Sequence, residues 1–319
     1  VESAAAWSDV TTYDAGAYVS YSGDIYYALQ TSLNEQPDVA PTYWVLQDIY
    51  EIPSPYQDAD LLNEDGGFAL AITQSADVLY IASNIEPYTL SRYGPTDWRF
   101  EAFFPEDGPF DTQNIDKDVS VTVSAETGTV TITNDATDDP IPTGTAQRLI
   151  RVEETNRSDV APWEPDKLIA DTLENPVGEL RRSDGHVYEC VTDEVAATDE
   201  IRTGTIKPVH TEGIFADGDG KPIKSDSTTF AIRAGVDWEY LHSGYGVGNI
   251  TACDGTDATV DTVLRWPAST VADGSYRWAL GAWYTGNYPL AVGFYRDRLG
   301  WAGGQRVWLS VSGGYDSHA

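Results

Sequence analysis

The stretch VSVTVSAETGTVTIT, Val119–Thr133, constrains the fold more than any other. Apolar and polar residues alternate on both sides of Glu-Thr-Gly, the period-two pattern of two strands joined by a tight turn. The alternation returns in ADVLYIAS (Ala76–Ser83) and RVWLSVS (Arg306–Ser312), with Gly or Pro between such segments. Apolar residues seldom recur at i, i+3 and i+4 for three turns, so few helices could bury a face. The expectation is a mainly β protein, a propeller-like or multi-sheet β body with small inserted hairpin modules. Helices should be short, one of them over PDKLIADTL (Pro165–Leu173).

An internal echo organises the first two-thirds. WSDVTTYDAGAYVSYSGDIYYAL carries Trp7, Tyr13, Gly16, Val19, Gly23, Tyr26 and Ala28 and closes at Trp44. NPVGELRRSDGHVYECVTD carries Gly178, Gly185, Val187, Tyr188 and Cys190. Each reads as a glycine, an alternating strand, a Ser-Gly or Asp-Gly turn, and a second strand opening with Tyr, which is a hairpin signal. The later copy offers no tryptophan in step with Trp7. Four regions follow: a small aromatic β module over 1–49, a β domain over 50–160, a second hairpin module with loops over 161–229, and a β body over 230–319 that reads as incomplete. The Pro-containing stretches Asn134–Thr145 and Asp217–Thr229 read as exposed loops.

Charge narrows the function classes. Against 51 acidic residues stand 19 basic ones, a formal net charge of −32. Such a field repels phosphate, so nucleic acid is not expected as an adhesive partner. Two readings of the acidity stay open: a solvated shell suited to a salty medium, and a wall to which DNA must not stick. A hydrophobic fraction of 41 % with 12 % aromatics is that of a folded chain. No apolar run approaches the roughly 20 residues of a membrane span, and no signal-peptide pattern opens the sequence. The chain lacks methionine and begins at Val1, so it reads as a piece of a longer or processed product. Cys190 and Cys253 form no spaced cluster, which leaves one disulfide or, preferably, two free buried thiols.

Catalytic and metal motifs are sparse. None of His186, His210, His242 and His318 has a histidine partner at ligand spacing, and there is no G-x-S-x-G elbow or P-loop. DGDGK at Asp217 lacks the ligand pattern of a calcium loop and is expected as a surface turn. The expectation is no catalytic residue, no metal, no cofactor and no enzymatic activity. Trp7, Tyr13, Tyr26 and Trp44, in the order W…Y…G…V…G…Y.A…W, resemble a small chitin-binding-type module. Such rings would stack on the C–H faces of sugars, or they are the core of a unit with few aliphatic residues.

Further along, YEIPSPYQDADL (Tyr50–Leu61) and ITQSADVLYIASNIEPYTLSRYGPTDWRF (Ile72–Phe100) run into RLIRV (Arg148–Val152). KPVHTEGIFADG, DWEYLHSGYGVGNITA (Asp237–Ala252) and LGAWYTGNYPLAVGFYRDRLGWAGG…VWLSVSGGYDS follow in the same order. Together these segments resemble the tail-tube nozzle proteins of short-tailed bacteriophages, the tail tubular protein B family, collinearly through most of 50–317. Gly300 stands where that family has a bulky residue, the segment before Trp308 is shortened, and Gly314-Tyr315-Asp316 replaces a usual Gly-Asp-Tyr. The resemblance implies a virion structural protein in the phage tail, a homo-hexameric ring that is the conduit for the ejected genome. Its partners would be adaptor and fibre proteins, and DNA would pass without specific binding. The alternative is a secreted carbohydrate-binding β protein of a salt-adapted organism.

Arg296, Arg298 and Arg306 are scarce cations gathered near the C-terminal end. Arg296 and Arg298 are expected to alternate along one strand and share a face. Their expected partners, and those of Arg306, are Asp or Glu of this subunit or a neighbour, as structural ion pairs or interface contacts.

Overall fold

The structure, a computed structural model, describes residues 4–47, 51–63, 65–94, 97–134, 141, 147–170, 176–192, 201–218, 223–224, 230–231 and 235–318. It is mainly β and built of several separate sheets. The chain divides into two compact units, one of residues 1–103 with 290–292 and one of 104–289 with 293–319.

The first unit opens with a small module of strands β1 (Ala5–Ala6), β2 (Thr12–Tyr13), β3 (Tyr18–Tyr21), β4 (Asp24–Ala28), β5 (Ser32–Leu33) and β6 (Trp44–Leu46). Its main sheet has the order β1-β3-β4-β6, and β2 pairs with β5. Ser22 and Gly23 both take positive φ in the two-residue turn between β3 and β4, the conformation that lets a short turn follow the twist of its strands. After a one-turn helix α1 (Asp58–Leu61) comes a meander of β7 (Ala71–Ser75), β8 (Val78–Ala82), β9 (Tyr88–Arg92) and β10 (Trp98–Ala102), each antiparallel to the next. Tyr56 packs edge-on to Tyr88 and Phe100, and Tyr80 to Phe103.

The second unit contains β11 (Val121–Val123), β12 (Thr129–Asn134), β13 (Arg148–Glu153), β14 (Leu168–Ala170), β15 (Leu180–Ser183), β16 (His186–Cys190) and β17 (Ile201–Arg202). There follow β18 (Ile214–Ala216), β19 (Ile223–Lys224), β20 (Phe230–Ala231), β21 (Asp237–His242), β22 (Tyr245–Cys253) and β23 (Asp257–Leu264). Helix α2 (Ala268–Ala272) precedes β24 (Trp278–Leu280), and β25 (Ala291–Tyr295), β26 (Arg298–Gly303) and β27 (Arg306–Leu309) close the order. The largest sheet runs β11-β12-β23-β22-β13-β24 and carries the main core. Val121, Val123, Val130 and Ile132 point into that core from the hairpin whose alternation opened the sequence analysis. Gly246 and Gly248 leave room for the Trp266 indole, which would meet a Cβ at either position at under 3 Å.

Three expectations fail on local structure. Leu168–Ala170, inside the expected helix, is strand β14 paired with β17, with Ile169 buried; residues 171–173 lie outside those described. Burial of Ile169 in the module core outweighs the helical spacing around it. The two expected loops are not wholly exposed: Asn134 and Ile141 are buried in the first, and Asp217 is buried in the second. Finally, Arg296 and Arg298 do not share a strand face. Arg296 and Asp297 both take positive φ, forming the two-residue turn between β25 and β26, and Arg298 opens β26. Without a glycine at this turn, the sequence gives no signal that the strand ends there.

Candidate functional site

The sequence echo is a complete repeat in three dimensions. Gly16 N–H bonds Ala28 O and Ala28 N–H bonds Ala17 O; Gly178 N–H bonds Cys190 O and Cys190 N–H bonds Glu179 O. Asp184-Gly185 takes the same pair of positive φ values as Ser22-Gly23. Ala28 faces Trp44 across β4 and β6, and Cys190 faces Trp238 across β16 and β21. Trp7 N–H bonds Ser20 O, and Trp163 N–H bonds Arg182 O at the corresponding position. Trp163 is therefore the partner of Trp7 that the sequence reading denied to the second copy. The connection from this tryptophan to the module glycine is longer in the second copy, and a still longer segment separates Cys190 from Trp238. The signal that could have revealed the match is the similarity of AAW before Ser8 to APW before Glu164.

Repetition decides what the aromatic rings do. Trp44 and Tyr26 are buried, as are their counterparts Trp238 and Tyr188. Trp7 and Tyr13 are half-buried and pack against that core, Trp7 edge-on to Tyr21 and Tyr13 edge-on to Trp44. The Trp44 indole N–H bonds Glu35 O at 2.8 Å. Of the four candidate stacking rings, Trp44 and Tyr26 are thus core and have no face to offer a sugar, while Trp7 and Tyr13 flank that core. What the first module does show outward is a row of Tyr18, Tyr27 and Val45 across β3, β4 and β6. In the second module the row reads Leu180, Glu189 and Glu239, so it is not a property of the repeat.

Asp217 holds the second module together. Its Oδ2 accepts the indole N–H groups of Trp238 at 2.8 Å and Trp163 at 3.1 Å, and its Oδ1 accepts Val236 N–H at 2.8 Å. The DGDGK segment is therefore anchored at its first residue, and the expected surface turn is corrected there. Three convergent N–H donors stabilise a buried carboxylate in place of a cation.

The histidines divide into packed and polar ones. His186 Nδ1 lies 2.9 Å from Ser243 Oγ, which is 2.8 Å from Tyr240 Oη. His210 packs at a tilt between the Tyr188 and Phe215 rings, with Nε2 3.1 Å from Trp238 O. His242 accepts Gly244 N–H through Nδ1; burial, with Arg182 and Arg265 nearby, pushes its pKa down to about 4. Burial likewise pushes His318 down to about 4. Asp107 receives the Tyr245 hydroxyl at 2.7 Å, and its carboxyl is raised by burial against the opposing effects of that bond and of Arg151. Tyr240, His242, Ser243, Tyr245 and Arg265 help line a pocket of about 110 Å³. Among the described residues no group of three His, Cys, Asp or Glu side chains is placed to hold a metal ion. Cys190 and Cys253 are both free thiols, the first buried and the second half-buried.

The arginines mostly face carboxylates. Arg306 bonds Asp111, whose other oxygen is 2.5 Å from Arg148 Nη2. Arg182 reaches the buried Glu154 at 2.7 Å, Arg265 reaches Glu126 at 2.7 Å, and Arg277 reaches Glu153 at 2.7 Å. Arg298 donates to Ser310 O at 2.7 Å, and Arg296 lies over the Tyr295 ring. Of the three arginines singled out in the sequence, only Arg306 has a carboxylate partner among the described residues. When the chain is compared with known proteins, no family model and no curated protein matches it.

Proposed function

We propose that the chain is a structural subunit of a short-tailed phage tail tube. In this reading, six copies form a ring-shaped nozzle through which the genome leaves and on which other tail components sit. Its basis is the collinear resemblance through most of residues 50–317. The observation that carries it in the molecule is the disposition of charge. Arg148, Arg182, Arg265, Arg277 and Arg306 are engaged with the chain's own carboxylates, within a protein of net charge −32. Cations held this way tie strands together and leave little to bind phosphate, which suits a surface that DNA slides past. The carbohydrate-binding alternative loses support from the burial of Trp44 and Tyr26.

Native mass measurement and negative-stain imaging of the 319-residue protein test the proposal. Closed rings that leave duplex DNA unretarded at low salt are the expected result. A monomer at all concentrations, or tight DNA binding, would overturn it.

A further inference from the structure

The outer face of the β25-β26-β27 sheet presents exposed apolar side chains. Its inner face is filled: Leu299 and Trp301 are buried, and Trp283 packs edge-on to both Trp301 and Trp308. Strand alternation turns the intervening residues outward. Gly300 faces Leu309 and Ala302 faces Val307 across β26 and β27, and Gly293 O lies close to the outward side of Gly300. The two-residue turn sets Tyr295 opposite Arg298, with Val311 one step beyond Leu309. On this face Tyr295 is 60 %, Val307 70 %, Leu309 42 % and Val311 40 % exposed. Gly300, with no side chain between Gly293 O and Leu309, keeps the centre flat.

Charge identifies what would cover this face. Arg296 and Arg298 border it, and among the described residues neither pairs with a carboxylate. The Asp297 carboxylate between them is occupied by the Tyr315 hydroxyl at 3.2 Å and the Ser312 hydroxyl at 3.4 Å. Arg298 uses one of its five N–H donors on Ser310 O. An apolar face with two carboxylate-free arginines, on a chain with 51 acidic residues, complements the surface of another copy of the same chain. We propose that this face is a subunit contact, docking against an acidic, apolar-centred surface of the neighbouring copy, with Arg296 and Arg298 meeting that copy's carboxylates. The inference rests on the ring reading and names a contact within it. Three strands of four to six residues present roughly 200 Å², about a quarter of one side of a standard interface. The face is therefore the anchor of a larger contact.

The variants Val307→Asp and Arg298→Gln, each in the full chain, test this by analytical ultracentrifugation beside the unaltered protein, with near-ultraviolet circular dichroism reporting the fold. Val307 is an exposed residue, so a native spectrum is expected for Val307→Asp. Its subunit dissociation constant should rise at least about thirty-fold, the effect of losing one hot-spot residue. Arg298→Gln should weaken assembly and reduce its loss at high salt. If the unaltered protein forms rings and both variants form them equally well, this contact is wrong and the ring reading stands. If the unaltered protein is monomeric, the ring reading falls, and this contact with it.

Discussion

At the scale of single residues, buried polar groups govern the second unit. Asp217 is the acceptor for two indoles and one backbone N–H, so Asp217→Ala would strand three donors inside the module. Each stranded donor costs about 1–3 kcal/mol, and the expected loss is at least about 3 kcal/mol in denaturant unfolding. A loss under 1 kcal/mol would show that the anchor is dispensable. His242 gives a pH dependence whose sign is fixed. Its folded pKa of about 4 lies below the ordinary value of 6.5, so the unfolded chain binds the extra proton between those values. Stability should therefore fall as pH drops from about 6.5 towards 4, by up to about 3 kcal/mol for this residue. His318 adds a contribution of the same sign over the same window. Asp107 acts oppositely: with its carboxyl raised, its contribution is lost as pH rises through the folded value. Unfolding curves at pH 7 and pH 5 in 0.5 M salt, where surface repulsion is screened, should show a smaller difference for His242→Asn than for the unaltered protein. Equal differences would remove His242 from the account.

At the scale of elements, the repeated module is the unit to perturb. Trp44→Ala and Trp238→Ala should each cost about 3–5 kcal/mol, because each empties the centre of a small core. The first module has few other apolar groups to replace Trp44, so limited proteolysis should cut it first in that variant. Titration of the unaltered protein with chitin oligomers should leave tryptophan fluorescence unchanged; quenching would contradict the burial of these rings. Strands were the legible part of this architecture. Val119–Thr133 announced its hairpin through strict alternation, and Ser22-Gly23 and Asp184-Gly185 announced theirs through turn chemistry. The β14 strand was hidden because three residues are too few to show a period, and its partner β17 is distant in sequence. The Arg296-Asp297 turn was hidden because neither residue is the glycine such a turn favours. The site was less legible than the fold. Trp163, Trp238 and Asp217 meet across long stretches of sequence, and no spacing rule spans such distances.

At the scale of the whole molecule, net charge sets the conditions under which any assembly can form. Copies carrying −32 each repel one another, and the repulsion acts through solvent over about one Debye length. That length falls from roughly 30 Å at 0.01 M salt to about 3 Å at 1 M, so added salt should favour both the compact fold and association. The arginine contacts respond in the opposite direction, since a surface ion pair is weakened by the same screening. The pairing of Arg182 with the buried Glu154 is the least exposed of these to salt, whereas Arg296 and Arg298 at the proposed contact are the most. Two opposed dependences predict a maximum. Assembly measured from 0.02 M to 2 M sodium chloride should first strengthen as long-range repulsion is screened, and then weaken as the interfacial arginine pairs are screened. With Arg298→Gln and Arg296→Gln combined, the weakening at high salt should disappear while the initial strengthening remains. A monotonic rise in the unaltered protein would mean that arginine–carboxylate pairs add nothing to association and that apolar contact alone holds the copies together.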